Sequence, residues 1–294
     1  MVSKINISES GLELSELALG MWRIHMLATD QLDQLLNTAL DNGITTFDHA
    51  DIYGSYTCEA VFGHWMKANK DKRSEIQLVS KCGIKLLSEN RPEHRIKHYD
   101  TSKKHIIQSV ENSLEQLNTD YLDLLLIHRP DPLMNVFEMA DAYASLKQSG
   151  KVNYFGVSNF TNHQFDLLAS ACDMPLVTNQ IEVSLFQHQP LFDGTLDHLN
   201  KLKINPMVWS PLGGSKHISD AIAKKDLQNL ANKYSVSVGD LVLIWLLQHP
   251  AGIVPVIGTM NPERVQSAAS NYQTTLERED WFEMLRIANG NDVA

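Results

Sequence analysis

Tyr121-Leu122-Asp123-Leu124-Leu125-Leu126-Ile127-His128 is the stretch on which the fold turns. A short, almost unbroken apolar run reads as a strand covered on both faces, and this one stops at a single ionisable side chain. Upstream, Ile106, Val110, Leu114 and Leu117 recur at helical spacing over residues 102–117, and a further helix fits 136–149. A strand set between helices pairs with its neighbours in parallel, through crossovers.

Outward from there the same unit repeats. Strands are expected at 17–20, 45–48, 76–80, 121–128, 154–158, 177–182, 206–210 and 254–257. Helical patterns fit 30–41, 58–68, 102–117, 136–149, 161–171, 191–202, 220–234 with 237–248, and 262–270. Eight such units suit a closed (β/α)8 TIM barrel better than an open sheet, and no strand runs straight into a GxGxxG turn. The pair Gly213-Gly214 lacks that spacing, and no linker or composition break divides the chain. Residues 1–294 therefore read as one α/β barrel domain.

Composition narrows the class of function. The chain is 43% hydrophobic and 20% charged with a formal charge of −10, a balance that favours a globular protein and disfavours nucleic-acid or anionic-membrane surfaces. The first twenty residues alternate polar and apolar types, unlike a secretory signal, and the apolar stretch 241–247 is too short to span a bilayer. Cys58, Cys82 and Cys172 are odd in number and widely spaced, as expected in the cytoplasm. Partners are thus expected to be small molecules, and the chain a monomer or weak oligomer.

In a barrel of this kind, side chains at the carboxyl ends of the strands carry the chemistry. Asp48 closes the second strand, with Tyr53 just beyond it, Lys81 follows the third, and His128 ends the fourth. A tyrosine normally titrates near 10, and an adjacent ammonium favours its phenolate. Asp48 would hold Lys81 charged, Tyr53 would give a proton to a carbonyl oxygen, and His128 would orient that carbonyl. Each residue also has an ordinary reading: a turn cap, a solvated lysine, a core histidine, a packing tyrosine. Their convergence favours the catalytic one.

The segments Phe47-Asp48-His49-Ala50-Asp51-Ile52-Tyr53-Gly54, residues 121–128 and Gly150-Lys151-Val152-Asn153-Tyr154-Phe155-Gly156-Val157-Ser158-Asn159-Phe160 resemble the aldo-keto reductase family, bacterial branch, from about residue 14 to 270. That resemblance implies a tetrad of Asp48, Tyr53, Lys81 and His128, hydride transfer between NADPH and a carbonyl compound, and no metal. It implies that Ser158, Asn159 and Gln180 hold the nicotinamide amide and that Trp209 stacks on the ring. It places Ser210, Pro211, Leu212, Gly213 and Gly214 around the pyrophosphate, with Gly20, Met21 and Trp22 at the first strand end. Gly258, Thr259, Met260 and Arg264 would grip the nucleotide's far end, Thr259 and Arg264 at the 2′-phosphate. Two departures loosen that grip: Gly258 where many relatives have Lys, and Ser267-Ala268 where they have Glu-Asn. The short tail after Ile287 implies an open mouth and a broad substrate range, walled by Trp22, Tyr53, His128 and the segment 84–99.

Two other readings remain in play. Asp48, His49, Asp51 and His128 could be imagined as metal ligands of a hydrolase, although no His-x-His pair lies on an early strand. A nucleotide-binding sensor would keep the fold without the turnover. Among lesser features, residues 89–97 read as a solvated loop face, Asp123 as one half of a local ion pair, and Cys82 as a small buried thiol.

Overall fold

The computed structural model describes residues 1–292. The chain opens with an antiparallel hairpin, β1 (Lys4–Asn6) and β2 (Glu13–Ser15). Barrel strands and helices then alternate: β3 (Ala18–Gly20), α1 (Thr29–Asp41), β4 (Thr46–Asp48), α2 (Cys58–Ala68), β5 (Gln77–Cys82). A small antiparallel pair, β6 (Ile84–Lys85) and β7 (His98–Tyr99), precedes α3 (Lys103–Leu117). After it come β8 (Leu122–Ile127), α4 (Val136–Gln148), β9 (Val152–Ser158), α5 (Asn162–Ala171), β10 (Leu176–Glu182), α6 (Thr195–Lys201) and β11 (Met207–Trp209). The chain closes with α7 (Gly214–Ala223), α8 (Lys225–Lys233), α9 (Val238–Leu247), β12 (Val254–Ile257), α10 (Pro262–Asn271) and α11 (Arg278–Asn289).

β3, β4, β5, β8, β9, β10, β11 and β12 close into one parallel barrel, with β12 beside β3. The eight expected strands are these eight, each within a few residues of its expected bounds. Their interior is filled by Ala18, Val79, Leu124, Leu126, Val177, Met207, Val254 and Val256, and the outer core lies between barrel and helices.

Several helices begin one residue later than their periodicity suggests. Ser102, Thr161 and Ser237 are extended residues whose hydroxyls accept backbone N–H groups of the first turn, so they cap their helices from outside. Two expectations need larger correction. The helix expected over 220–234 is two helices, interrupted at Lys224, which is extended. The one expected over 191–202 starts only at Thr195, after a 3-10 turn at Gln189–Leu191 and the left-handed Gly194. The N-terminal hairpin, the β6/β7 pair and α11 were not anticipated; the strands have only two or three residues each, too few to show a period.

Asp123 forms its local pair, 2.8 Å from Arg73, and Cys82 is buried. The 89–97 segment is mostly solvated, although Arg91 lies over the Tyr56 ring and the His94 ring is folded inward. Among the described residues no single helix is long and apolar enough to cross a membrane.

Candidate active site

Strand register decides which side chains meet. In a parallel pair, registered residues point to the same side, and alternate residues return to it. Asp48 closes β4 in register with Gly20 on one side and Val79 on the other. Val79 faces the interior, so Lys81, two residues on, does too, one layer nearer the mouth. The chain beyond Asp48 makes a turn in which the Tyr53 N–H bonds the Ala50 carbonyl and the Tyr53 carbonyl accepts from Thr57 and Cys58 at the start of α2. This returns the Tyr53 ring over the strand ends.

Lys81 is the hub. Its ammonium is fully buried and donates to Asp48 Oδ2 at 2.7 Å, to the His49 carbonyl at 2.8 Å and to the Tyr53 hydroxyl at 3.1 Å. All three N–H groups are thereby used. Because Tyr53 oxygen accepts from Lys81, its own proton is free to point elsewhere. Asp48 is held from the opposite side, its Oδ1 accepting from Gln180 Nε2 at 2.8 Å. A polar chain thus crosses the barrel from β10 to the Tyr53 phenol.

Burial works against the Lys81 ammonium, but attraction to Asp48 and Tyr53 outweighs it, and the lysine is raised above 10.5. Tyr53 departs from the expectation. Burial raises its phenol above 10, and the opposing pull of Lys81 offsets that without reversing it. His128 is driven well below 6.5 by burial first and then by the charges of Lys81 and Arg129, so it is a neutral imidazole near pH 7. Its ring stands edge-on to Tyr53 at 5.9 Å, and its buried Nδ1 has no hydrogen-bond partner among the described residues.

His49 points the other way. It is fully buried, packs edge-on against Phe62 of α2 at 4.6 Å, and is lowered to about 3 by burial and by Lys81. It therefore does not converge with Asp48 and His128, as a shared metal would need. Among the described residues no three His, Cys, Asp or Glu side chains form a metal-binding group.

The residues expected to hold a cofactor lie on the same face. Ser158 Oγ donates to the Gln180 carbonyl at 2.9 Å. Left-handed Asn159 donates to Ser158 Oγ at 2.8 Å and to the His128 carbonyl at 3.2 Å, and it accepts from Trp209 Nε1 at 2.9 Å. The loop beyond Trp209 has Ser210 and Gly213 in the left-handed region, and Gly214 already opens α7. Pro211 is buried and Leu212 packs on the outer core, leaving mainly backbone to face a ligand. Met21 likewise buries its side chain in the outer core. Met260 is partly buried against that core too.

Trp22 lies over the ends of the paired strands β3 and β12. A Cβ on either Gly20 or Gly258 would fall 2.0 Å from its ring, so both glycines are needed beneath it. The same ring meets Tyr53 edge-on at 6.3 Å, and Arg23 beside it donates to the Gly258 carbonyl. Thr259 Oγ1 accepts the Asn261 N–H at 3.1 Å. Arg264 is exposed in the first turn of α10 with no ion pair among the described residues. Ser267 is committed to Asp240, at 2.6 Å.

Two charged residues of this face escaped the sequence reading, Arg129 and Glu182. Each was detectable: Arg129 follows His128 directly, and Glu182 shares its strand face with Gln180 by the period of two.

A family model described as "Aldo/keto reductase family" matches residues 16–289. Over 300 residues the chain is 45% identical to the oxidoreductase YdhF of Escherichia coli, with all of both chains covered. It is 44% identical to a 6-dehydroglucose reductase of Agrobacterium fabrum over 298 residues, again with full coverage of both. Among solved structures, an aldo/keto reductase from Brucella melitensis superposes with a TM-score of 0.76 at 26% identity, covering 98% of this chain and 100% of that one. An aldo-keto reductase from Klebsiella pneumoniae, solved in complex with NADPH, gives a TM-score of 0.82 at 24% identity, covering 98% and 95%.

Proposed function

The chain belongs to the aldo/keto reductase family, and on that premise we propose that it is an NADPH-dependent reductase of aldehydes and ketones in which Tyr53 is the general acid. The observation that carries the reading is the hydrogen bond from buried Lys81 to the Tyr53 hydroxyl, with Asp48 anchoring the lysine behind it. When bound, NADPH supplies the hydride that reduces the carbonyl carbon and leaves as NADP+. The residues of this chain do the rest. As negative charge builds on the carbonyl oxygen, Tyr53 releases its free proton to it, and Lys81 stabilises the phenolate left behind. An alkoxide is far more basic than a phenolate, so the transfer is downhill even from a phenol raised by burial. Neutral His128 offers a hydrogen bond to the same oxygen without competing as a stronger acid.

The cofactor's position is supported by the fit of its expected holders. Ser158, Asn159 and Trp209 already form one hydrogen-bonded group beside His128. Left-handed backbone at Ser210 and Gly213 leads into the N-terminus of α7, whose first-turn N–H groups suit an anion. Arg264, unpaired at the N-terminus of α10, suits a 2′-phosphate and favours NADPH over NADH. The named activity of the Agrobacterium fabrum relative makes sugar aldehydes the first class to try.

The Tyr53→Phe protein tests the role directly. NADPH binding, read by fluorescence, should be unchanged, while aldehyde reduction falls by about 100-fold or more, the usual weight of a positioned proton donor. A variant turning over within about twofold of the parent would end the assignment.

A further inference from the structure

Arg129 and Glu182 both lie beside Trp209 at the mouth, and no ion pair joins them. Glu182 ends β10 in register with Trp209, and lies two residues beyond Gln180, whose side chain reaches Asp48 inside the barrel. The period of two therefore aims Glu182 at the same interior side, one layer nearer the rim. Arg129 comes from the loop after β8, directly beyond His128, and its guanidinium lies over the Trp209 ring at 5.6 Å. These two side chains thus border one spot, next to the residues assigned to the carbonyl.

Neither charge has an ionic partner among the described residues. Among the described residues Arg129 and Glu182 form no ion pair with each other or with any other residue, and neither side chain makes a hydrogen bond. They nevertheless sense one another: burial raises the Glu182 carboxyl, and Arg129, followed by His217, pulls it back. An open pair of this kind presents up to five N–H donors on one side and carboxylate acceptors on the other, separated by a gap.

We propose that Arg129 and Glu182 form a polar clamp that makes the enzyme selective for neutral, polyhydroxylated carbonyl compounds. The guanidinium donates to, and the carboxylate accepts from, hydroxyls on the carbons next to the carbonyl. A purely apolar aldehyde leaves both groups unpaired when it covers them, which is costly. A carboxylate-bearing aldehyde gains from Arg129 what it loses to Glu182. This proposal rests on the carbonyl-reductase reading above and identifies the residues that choose among its substrates.

The test compares D-glyceraldehyde, propanal and succinic semialdehyde, at known free-aldehyde concentrations, with NADPH. The parent protein should favour glyceraldehyde over propanal in kcat/KM by about tenfold or more, the worth of one hydrogen bond to a charged group. In both Arg129→Met and Glu182→Gln that ratio should drop toward one. A ratio cancels general damage, so a merely structural role would leave it unmoved. Two variants guard against one that misfolds. Equal kcat/KM for glyceraldehyde and propanal in the parent, or an unaltered ratio in both variants, would overturn the clamp while leaving the reductase standing. Preference for succinic semialdehyde would also overturn it, showing that Arg129 reads an anion. Failure to reduce any aldehyde would instead remove the underlying reading.

Discussion

Glu59 shows how far a single carboxyl can be moved by its surroundings. It lies in the first turn of α2, is 5% exposed, and accepts from Ser80 Oγ at 2.6 Å, on the residue before Lys81. Burial raises it to about 7, hydrogen bonds from Ser80 and Ser113 and the charge of Lys81 holding it back only in part. The unfolded chain holds that proton only below about 4.5. Between these values the folded state binds the extra proton, so Glu59 contributes stability that is full below the lower value and fades as pH rises through about 7. Across pH 4.5 to 7.5 the parent should lose on the order of 3 kcal/mol of stability relative to Glu59→Gln, the difference between the two curves isolating this carboxyl. Parallel curves in urea denaturation would show that Glu59 does not titrate in that window. The meeting of Asp48, Tyr53, Lys81 and His128 was legible because each ionisable group lies at or just beyond the end of an apolar strand. The net rise of Tyr53 was not, since the sequence reveals the nearby ammonium but not the depth of burial that outweighs it.

Packing between elements is as strict as the chemistry near them. α2 and α3 approach so closely at Gly63 that a Cβ there would sit 1.8 Å from the Gln116 carbonyl oxygen. Gly63→Ala must therefore push the helices apart, with a cost of about 1–3 kcal/mol, seen as a lower urea midpoint with an unchanged slope. A neutral result would mean that the two helices part freely there. Helix positions were readable from sequence wherever an amphipathic stripe ran unbroken, as in α2 and α3. The division of α7 from α8 was not, because Lys224 is extended without a proline or glycine to announce it. The two antiparallel pairs were hidden for another reason: they are held by the fold around them rather than by any period of their own.

At the scale of the whole molecule, the N-terminal hairpin completes the barrel. Ile7, Leu12 and Leu14 are buried against interior residues of six barrel strands, and the Ile7 carbonyl accepts from Asn205 just before β11. Leu14→Ala leaves a void that many elements share, and should cost about 2–5 kcal/mol in equilibrium unfolding. A loss below about 1 kcal/mol would indicate that the hairpin merely rests on the surface. Eight alternations of strand and helix announced the closed barrel, but the plug beneath it joins residues far apart in the chain, which local patterns do not encode.

A packed barrel interior with that hairpin beneath it makes the structure a shallow cup, open on one side only. Molecules that meet at Tyr53 must share one rim, so whichever lies deeper arrives before its companion and departs after it. Passage through this protein is a queue, imposed by the filled interior on events at the rim.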